Sequence, residues 1–294
     1  MSLPAELPDP SKKSEGQNEI TFQQQCMAEA LFQSLLGSPL FVDQLPESAT
    51  FDRSSLSLPD PVPSLNFSQK LGHLCEDALA ALLDHSPAFE LLERNLVIRK
   101  SPQETVGELD FLLREASSGK LLHLELATKF YLVVPTAQGL LLPGPDARDH
   151  YFRKLNRLQD HQLTLPSRYR EFLPSAYRNE AIATRHLILG CLFDHFEART
   201  AHQPEFLHPE ARRGKWLTSK ELPAHFPDPA TLRVIPKPLW PVPVEELKDL
   251  ELTSFALDSP VERCLMVVTP EGFPLFITPS DYPEAALTQC GGVR

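Results

Sequence analysis

The sequence predicts a mixed α/β protein, and three observations carry that reading. A strongly periodic helical pattern lies in LNFSQKLGHLCEDALAALLDHSP. Two strand-like runs then meet at the small polar turn ASSGK. A second helical pattern and a buried apolar strand, HLILGCLFDHF, follow. Helix, hairpin, helix, strand is an α/β order, and the hairpin makes the sheet mixed rather than all parallel.

The elements follow in order. Residues 1–19 are polar and Pro-containing, and are expected to be disordered. From Thr21 to Leu36, the spacing of Phe22, Met27, Leu31 and Leu35 is helical, and Gly37 and Pro39 end the run. Pro and Ser make LPESATFDRSSLSLPDPVPS a loop. In the next helix Leu71, Leu74, Cys75, Ala78, Leu79, Leu82 and Leu83 form a stripe of 3.6-residue period, stopped by Ser86 and Pro87. FELLERNLVIRKSP reads as a helix tip and a short strand, Leu96 to Arg99. The two runs around ASSGK form a hairpin. PTAQGLLLPGPDARDH is loop. DARDHYFRKLNRLQDHQLTLP reads as a helix with Tyr151, Leu155, Leu158 and Gln162 along one side. Beyond residue 200 the chain is Pro-rich, with RVIPKPLWPVP and a hairpin in RCLMVVTPEGFPLFITP. The expected organisation is a disordered 1–19, an α/β core over 20–200, and a smaller C-terminal β-containing part over 201–294, packed on the core.

Composition narrows the function classes. The chain has 294 residues, enough to bury a good core, and 42% of them are hydrophobic. No apolar run reaches the ~18 residues of a membrane span, and the N-terminus lacks the apolar core of a signal peptide. The expectation is a cytoplasmic protein with no membrane partner. The five cysteines are far apart and lack CxxC spacing, which argues against a zinc knuckle or a disulfide framework. A net charge of −11 argues against a non-specific nucleic-acid coat, but not against an enzyme with a local basic groove. No Walker A sequence, GxGxxG, HExxH or GxSxG is present.

The stretch GELDFLLREASSGKLLHLELATKFYLVV holds the candidate chemistry. Successive strand side chains face opposite sides, so Glu108 and Asp110 share a face. On the next strand His123, Glu125, Ala127 and Lys129 share one. A turn centred near Ser118 sets Asp110 almost across from Glu125. Two such carboxylates repel unless a proton or a cation lies between them. A hard divalent ion with oxygen ligands, such as Mg²⁺ or Mn²⁺, removes that conflict. Lys129 lies about 13 Å further along the same face at ~3.3 Å per residue. A lysine there orients an attacking water or stabilises developing charge on phosphorus. Glu108 reads as solvated and His123 as packed.

Asp110, then Glu125 and Lys129 on the next strand, preceded by the helical Glu76, resembles the PD-(D/E)XK nuclease superfamily. The ordered segments LGHLCE, GELDFLL, HLELATKFYL, GPDARDHYFRKLNRLQDHQL, GKWLT and PKPLW are similar to one bacterial branch, the domain-of-unknown-function family 1853, over roughly residues 65 to 280. The resemblance implies a restriction-endonuclease-like fold, a mixed sheet flanked by helices, and Mg²⁺- or Mn²⁺-dependent cleavage of DNA or RNA. It implies metal ligation by Asp110 and Glu125, with Lys129 and Glu76 completing the catalytic set. It draws Lys154 and Gln162 towards phosphate or the site, and Arg157 joins them as a nucleic-acid candidate from a basic stretch that includes Arg148, Arg153, Arg168 and Arg170. Trp216, Lys237 and Trp240 read as core or as a stacking surface. The lysine stands at Glu+4, where the superfamily pattern has Glu+2, here Ala127. The alternative is a catalytically silent relative that binds nucleic acid or a protein partner. An enzyme acting on a phosphorylated small molecule is a third option.

Overall fold

The computed structural model describes residues 10–136, 139–257 and 260–290. Helices α1 (Pro10–Gly37) and α2 (Leu71–His85) precede three strands, β1 (Phe89–Ser101), β2 (Glu104–Glu115) and β3 (Leu121–Leu132). Helix α3 (Tyr151–Arg157) runs into a π-helical turn at Leu158–Gln162 and leads to β4 (Ile182–His195). Then come β5 (Arg212–Thr218), β6 (Arg233–Ile235), β7 (Leu265–Val268), β8 (Pro274–Thr278) and helix α4 (Tyr282–Cys290). No described helix is long and apolar enough to cross a membrane.

One mixed sheet runs in the order β1-β2-β3-β4-β5-β8-β7-β6, and the pair Ala49–Thr50 adds a short parallel strand to β4. The β1-β2-β3 ribbon is antiparallel; β3, β4, β5 and β8 are mutually parallel. Strands β3 and β4 are nearly continuous apolar runs because both of their faces are covered. On one face Leu122, Leu124, Leu187 and Leu189 pack under Leu31 and Leu35 of α1 and Leu79 and Leu83 of α2. On the other, Tyr131, Ile188 and Leu192 pack under Tyr151, Leu155 and Leu158. The alternation expected for β3 is therefore present.

The strands of the C-terminal third extend the same sheet. Trp216, Met266 and Phe276 belong to the same buried cluster as Leu124. Parallel pairing of Leu275 with Lys215 joins β8 to β5 across about 60 residues of sequence. Trp216 and Trp240 form no stacking surface. Both are buried, and their indole N–H groups donate to Val133 O at 3.0 Å and Ile235 O at 3.2 Å.

Four local expectations need correction. The stretch PTAQGLLLPGPDARDH, expected as loop, holds strand Gly139–Leu141, which pairs antiparallel with Val134–Thr136. The segment 89–95 is strand, not a helix tip. It pairs with β2 from Phe89↔Glu115 onwards, and register shifts, the first between Leu91 and Glu93, break the two-residue alternation that would have revealed it. Helix α1 begins at Pro10, so residues 10–19 are helical; residues 1–9 lie outside the described residues. SKKSEGQNE has no proline to stop a helix that Leu31 and Leu35 anchor, and propagation adds a hydrogen bond per residue. The helix expected over DARDHYFRKLNRLQDHQLTLP starts only at Tyr151, because extended His150 bridges Pro143. It then widens, with Leu163 N–H bonding Leu158 O at 2.9 Å, and the wide turn aims Gln162 at the sheet.

Candidate active site

The site lies where the sheet forks. β2 and β3 are paired only from Phe111↔Leu124 to Arg114↔Leu121. Beyond that point β2 stays with β1, while β3 continues beside β4. Asp110 stands at the branch, and its Oδ2 accepts the Leu126 N–H at 2.9 Å. A carboxylate thus takes the amide that a longer ladder would have used. The π-helical turn closes the fork. His161 Nε2 lies 3.0 Å from Val106 O, and Leu165 packs onto Gly107, where a Cβ would come within 2.8 Å of it. From that turn Gln162 Nε2 donates to Glu125 Oε1.

A cavity of about 350 Å³ opens at the fork. Glu76, Asp110, Glu125, Lys129, Lys154, Arg157 and Gln162 all line it, so the structure brings every candidate residue to one space. Glu108 is exposed and outside it. Sequence reasoning missed its apolar wall, which includes Phe41, Val42, Tyr131, Tyr151 and Ile188. Tyr131 could have been found, because it continues the face of Glu125, Ala127 and Lys129; Phe41 and Val42 come from a loop with no such signal.

The two acids are held under tension. Asp110 is pushed up to about 8, first by burial and next by the neighbouring Glu125 charge, against the pull of the Leu126 amide. Burial likewise pushes Glu125 up to about 8, opposed by Lys129 and the Gln162 amide. Its Oε2 turns inward, 3.6 Å from His123 Nε2, and has no hydrogen-bond partner. His123 is fully buried with both ring nitrogens unpartnered, and burial drives it down to about 4, so it is a neutral imidazole at pH 7. Burial also lowers the Lys129 ammonium. Glu76, at the rim on α2, has its Oε2 3.2 Å from His73 Nδ1 and 3.4 Å from Asn95 Nδ2. No arginine pairs with Asp110 or Glu125 among the described residues.

Lys129 is set by a close strand approach. It pairs with Gly190 of β4, where any Cβ would overlap the Lys129 carbonyl oxygen. Only glycine lets β4 lie near enough to hold that part of β3 at the cavity.

The donor set fits a hard divalent cation in part. Two carboxylates share the cavity, and the Glu125 charge that helps push Asp110 up is what a dication relieves. Among the described residues no three His, Cys, Asp or Glu side chains cluster as a ready metal cage. Mg²⁺ commonly binds through one or two carboxylates plus substrate phosphate, so the two acids are an adequate protein share. Replacing Gln162 by Leu removes the hydrogen bond on Glu125 Oε1. The expected result is a 10- to 100-fold weaker Mn²⁺ affinity, on the scale of lost outer hydrogen bonds to metal ligands, read by titration calorimetry.

Fold and cavity together define a mixed α/β protein with a carboxylate pair and a lysine gathered at a fork in its sheet. Residues 21–262 match the family described as Domain of unknown function (DUF1853), and the chain belongs to that family. No curated protein and no solved structure matches the chain.

Proposed function

We propose that this chain is a metal-dependent phosphodiesterase acting on nucleic acid, with a restriction-endonuclease-like fold of the PD-(D/E)XK kind. One observation carries the reading: Asp110, Glu125 and Lys129 line a single cavity in which, among the described residues, no arginine pairs with either acid. Asp110 and Glu125 would hold Mg²⁺ or Mn²⁺. The bound ion would supply a nucleophilic water at neutral pH and charge for the non-bridging oxygens. The remaining work falls to the chain. Gln162 fixes the Glu125 carboxylate, and the Leu126 amide fixes Asp110. The desolvated Lys129 amine is placed to orient the water or meet charge developing on phosphorus. Lys154 and Arg157 supply positive charge at the mouth for the phosphate backbone.

Incubation with Mn²⁺ or Mg²⁺ and a panel of single-stranded DNA, duplex DNA and RNA tests this. Cleavage that EDTA and Glu125→Gln both abolish is the expected result. No cleavage of any substrate, with no calorimetric Mn²⁺ binding, would overturn it. The second reading, a catalytically silent binding protein, is favoured by the lack of a third clustered ligand among the described residues and by the lysine's position at Glu+4.

A further inference from the structure

A second cavity, of about 400 Å³, lies against α3 and is lined by Asp146, Arg148, Asp149, Arg153, Lys154 and Arg157. It shares Lys154 and Arg157 with the acid cavity, so the two spaces are neighbours across these side chains. Its charges are unevenly matched. Arg148 is spent on Asp146, with contacts of 2.7 and 3.1 Å, and Lys154 Nζ lies 4.0 Å from Asp149 Oδ1. Arg153 and Arg157 are exposed and form no ion pair among the described residues. They stand four residues apart on one helix with Lys154 between them, an arrangement of like charges that destabilises a helix unless an anion sits among them. The chain as a whole carries −11, which makes a local excess of cations beside an acidic cavity a feature of place, not of composition.

Resting on the phosphodiesterase reading, we infer that this basic cavity is a subsite for a second phosphate, adjacent along the chain to the one that enters the acid cavity. The substrate class is then a strand with at least two consecutive phosphates, not a lone phosphodiester. Arg153 and Arg157 grip the flanking phosphate, and Lys154 bridges the two positions. Phosphate contacts of this kind set register without reading sequence.

The test is binding, and so is independent of turnover. Fluorescence anisotropy is measured in EDTA with labelled single-stranded probes bearing one, two or three internucleotide phosphates. Affinity is expected to rise about tenfold from one phosphate to two. The double variant Arg153→Ala, Arg157→Ala is expected to erase that gain, while Arg153→Lys keeps most of it. The slope of log affinity against log salt is expected to fall by about one in Arg153→Ala, as for a lost phosphate contact. Inorganic tripolyphosphate as competitor separates a general polyphosphate site, which it would block fully, from one that also needs the sugar and base. Either outcome with the stepwise gain supports the subsite. Equal affinity for one- and two-phosphate probes, a gain that survives the double variant, or no binding at all would overturn it. Stepwise binding without metal-dependent cleavage would leave the subsite standing and remove the catalytic reading; cleavage without the gain would do the reverse.

Discussion

Asp110→Asn is expected to stabilise the metal-free protein at pH 8 while abolishing divalent-ion binding and cleavage. The two effects have one cause. Asp110 and Glu125 are acids held up to about 8 in the folded state, against about 4 in an unfolded chain. Between those values the folded state keeps protons that the unfolded state has released. Stability without metal therefore falls as pH rises from about 4 through about 8. His123 works the other way, but only lower down: its folded value is depressed to about 4, so its contribution rises towards pH 6.5 and is then complete. Above that pH the carboxylates go on lowering stability, and the buried Lys129, whose ammonium is depressed, opposes them as pH approaches its unfolded value. Asparagine ends the repulsion and still offers the Leu126 N–H an oxygen. One pKa unit corresponds to ~1.4 kcal/mol, and solvent entering the cavity screens part of the penalty, so a gain of about 2 kcal/mol is expected. That corresponds to roughly 4–6 °C in thermal midpoint. In the wild type, saturating Mn²⁺ should reverse the pH trend, because the ion binds the ionised pair. Differential scanning calorimetry from pH 5 to 9, with and without Mn²⁺, checks all of this. A midpoint lowered by the asparagine would show that the acids do not oppose each other, and a wild-type profile indifferent to Mn²⁺ would show that they hold no ion.

What could be seen in the amino-acid order, and what could not, follows from the range of the forces involved. The face shared by Glu125, Ala127 and Lys129 needs only strand geometry, so it was legible. So was the stripe of α2, from Leu74 to Leu83, which is buried as its spacing requires. The fork was not legible. It exists because pairing stops at Phe111↔Leu124, and nothing local to Asp110 or Leu126 says that the next rung is missing. The strand from Phe89 was hidden by its bulges, which shift the alternation out of register. The continuity of the main sheet into the C-terminal third was hidden by the long excursion between β5 and β8, since pairing across such a distance leaves no local pattern. Gln162 was legible as a residue on one side of a helix, but its contact with Glu125 depends on the wide turn at Leu158, which a 3.6-residue reading does not contain.

Moving the lysine along its strand face tests whether its rung matters. Lys129→Met preserves bulk and removes the amine. Cleavage is expected to fall 10²- to 10³-fold in kcat, with KM changed by less than about twofold, as for an interaction made mainly in the transition state. Loss of an ammonium that burial already disfavours should leave the fold intact, so the thermal midpoint is expected not to drop. The double change Ala127→Lys, Lys129→Met then moves the amine two residues back on the same strand face, nearer Glu125. Ala127 lines the same cavity and is half-buried, so the longer side chain has an opening to enter. If the cavity rather than the exact rung sets the reaction, the double variant is expected to recover at least tenfold over Lys129→Met. Recovery would mean that two rungs on one face are interchangeable, which is what period-two geometry allows. A double variant as slow as the single one, despite an unchanged thermal midpoint, would mean that the close approach of Gly190 to the Lys129 backbone fixes a geometry the neighbouring rung cannot supply. A Lys129→Met protein as fast as the wild type would remove the lysine from the chemistry and leave the carboxylate pair as its whole catalytic equipment.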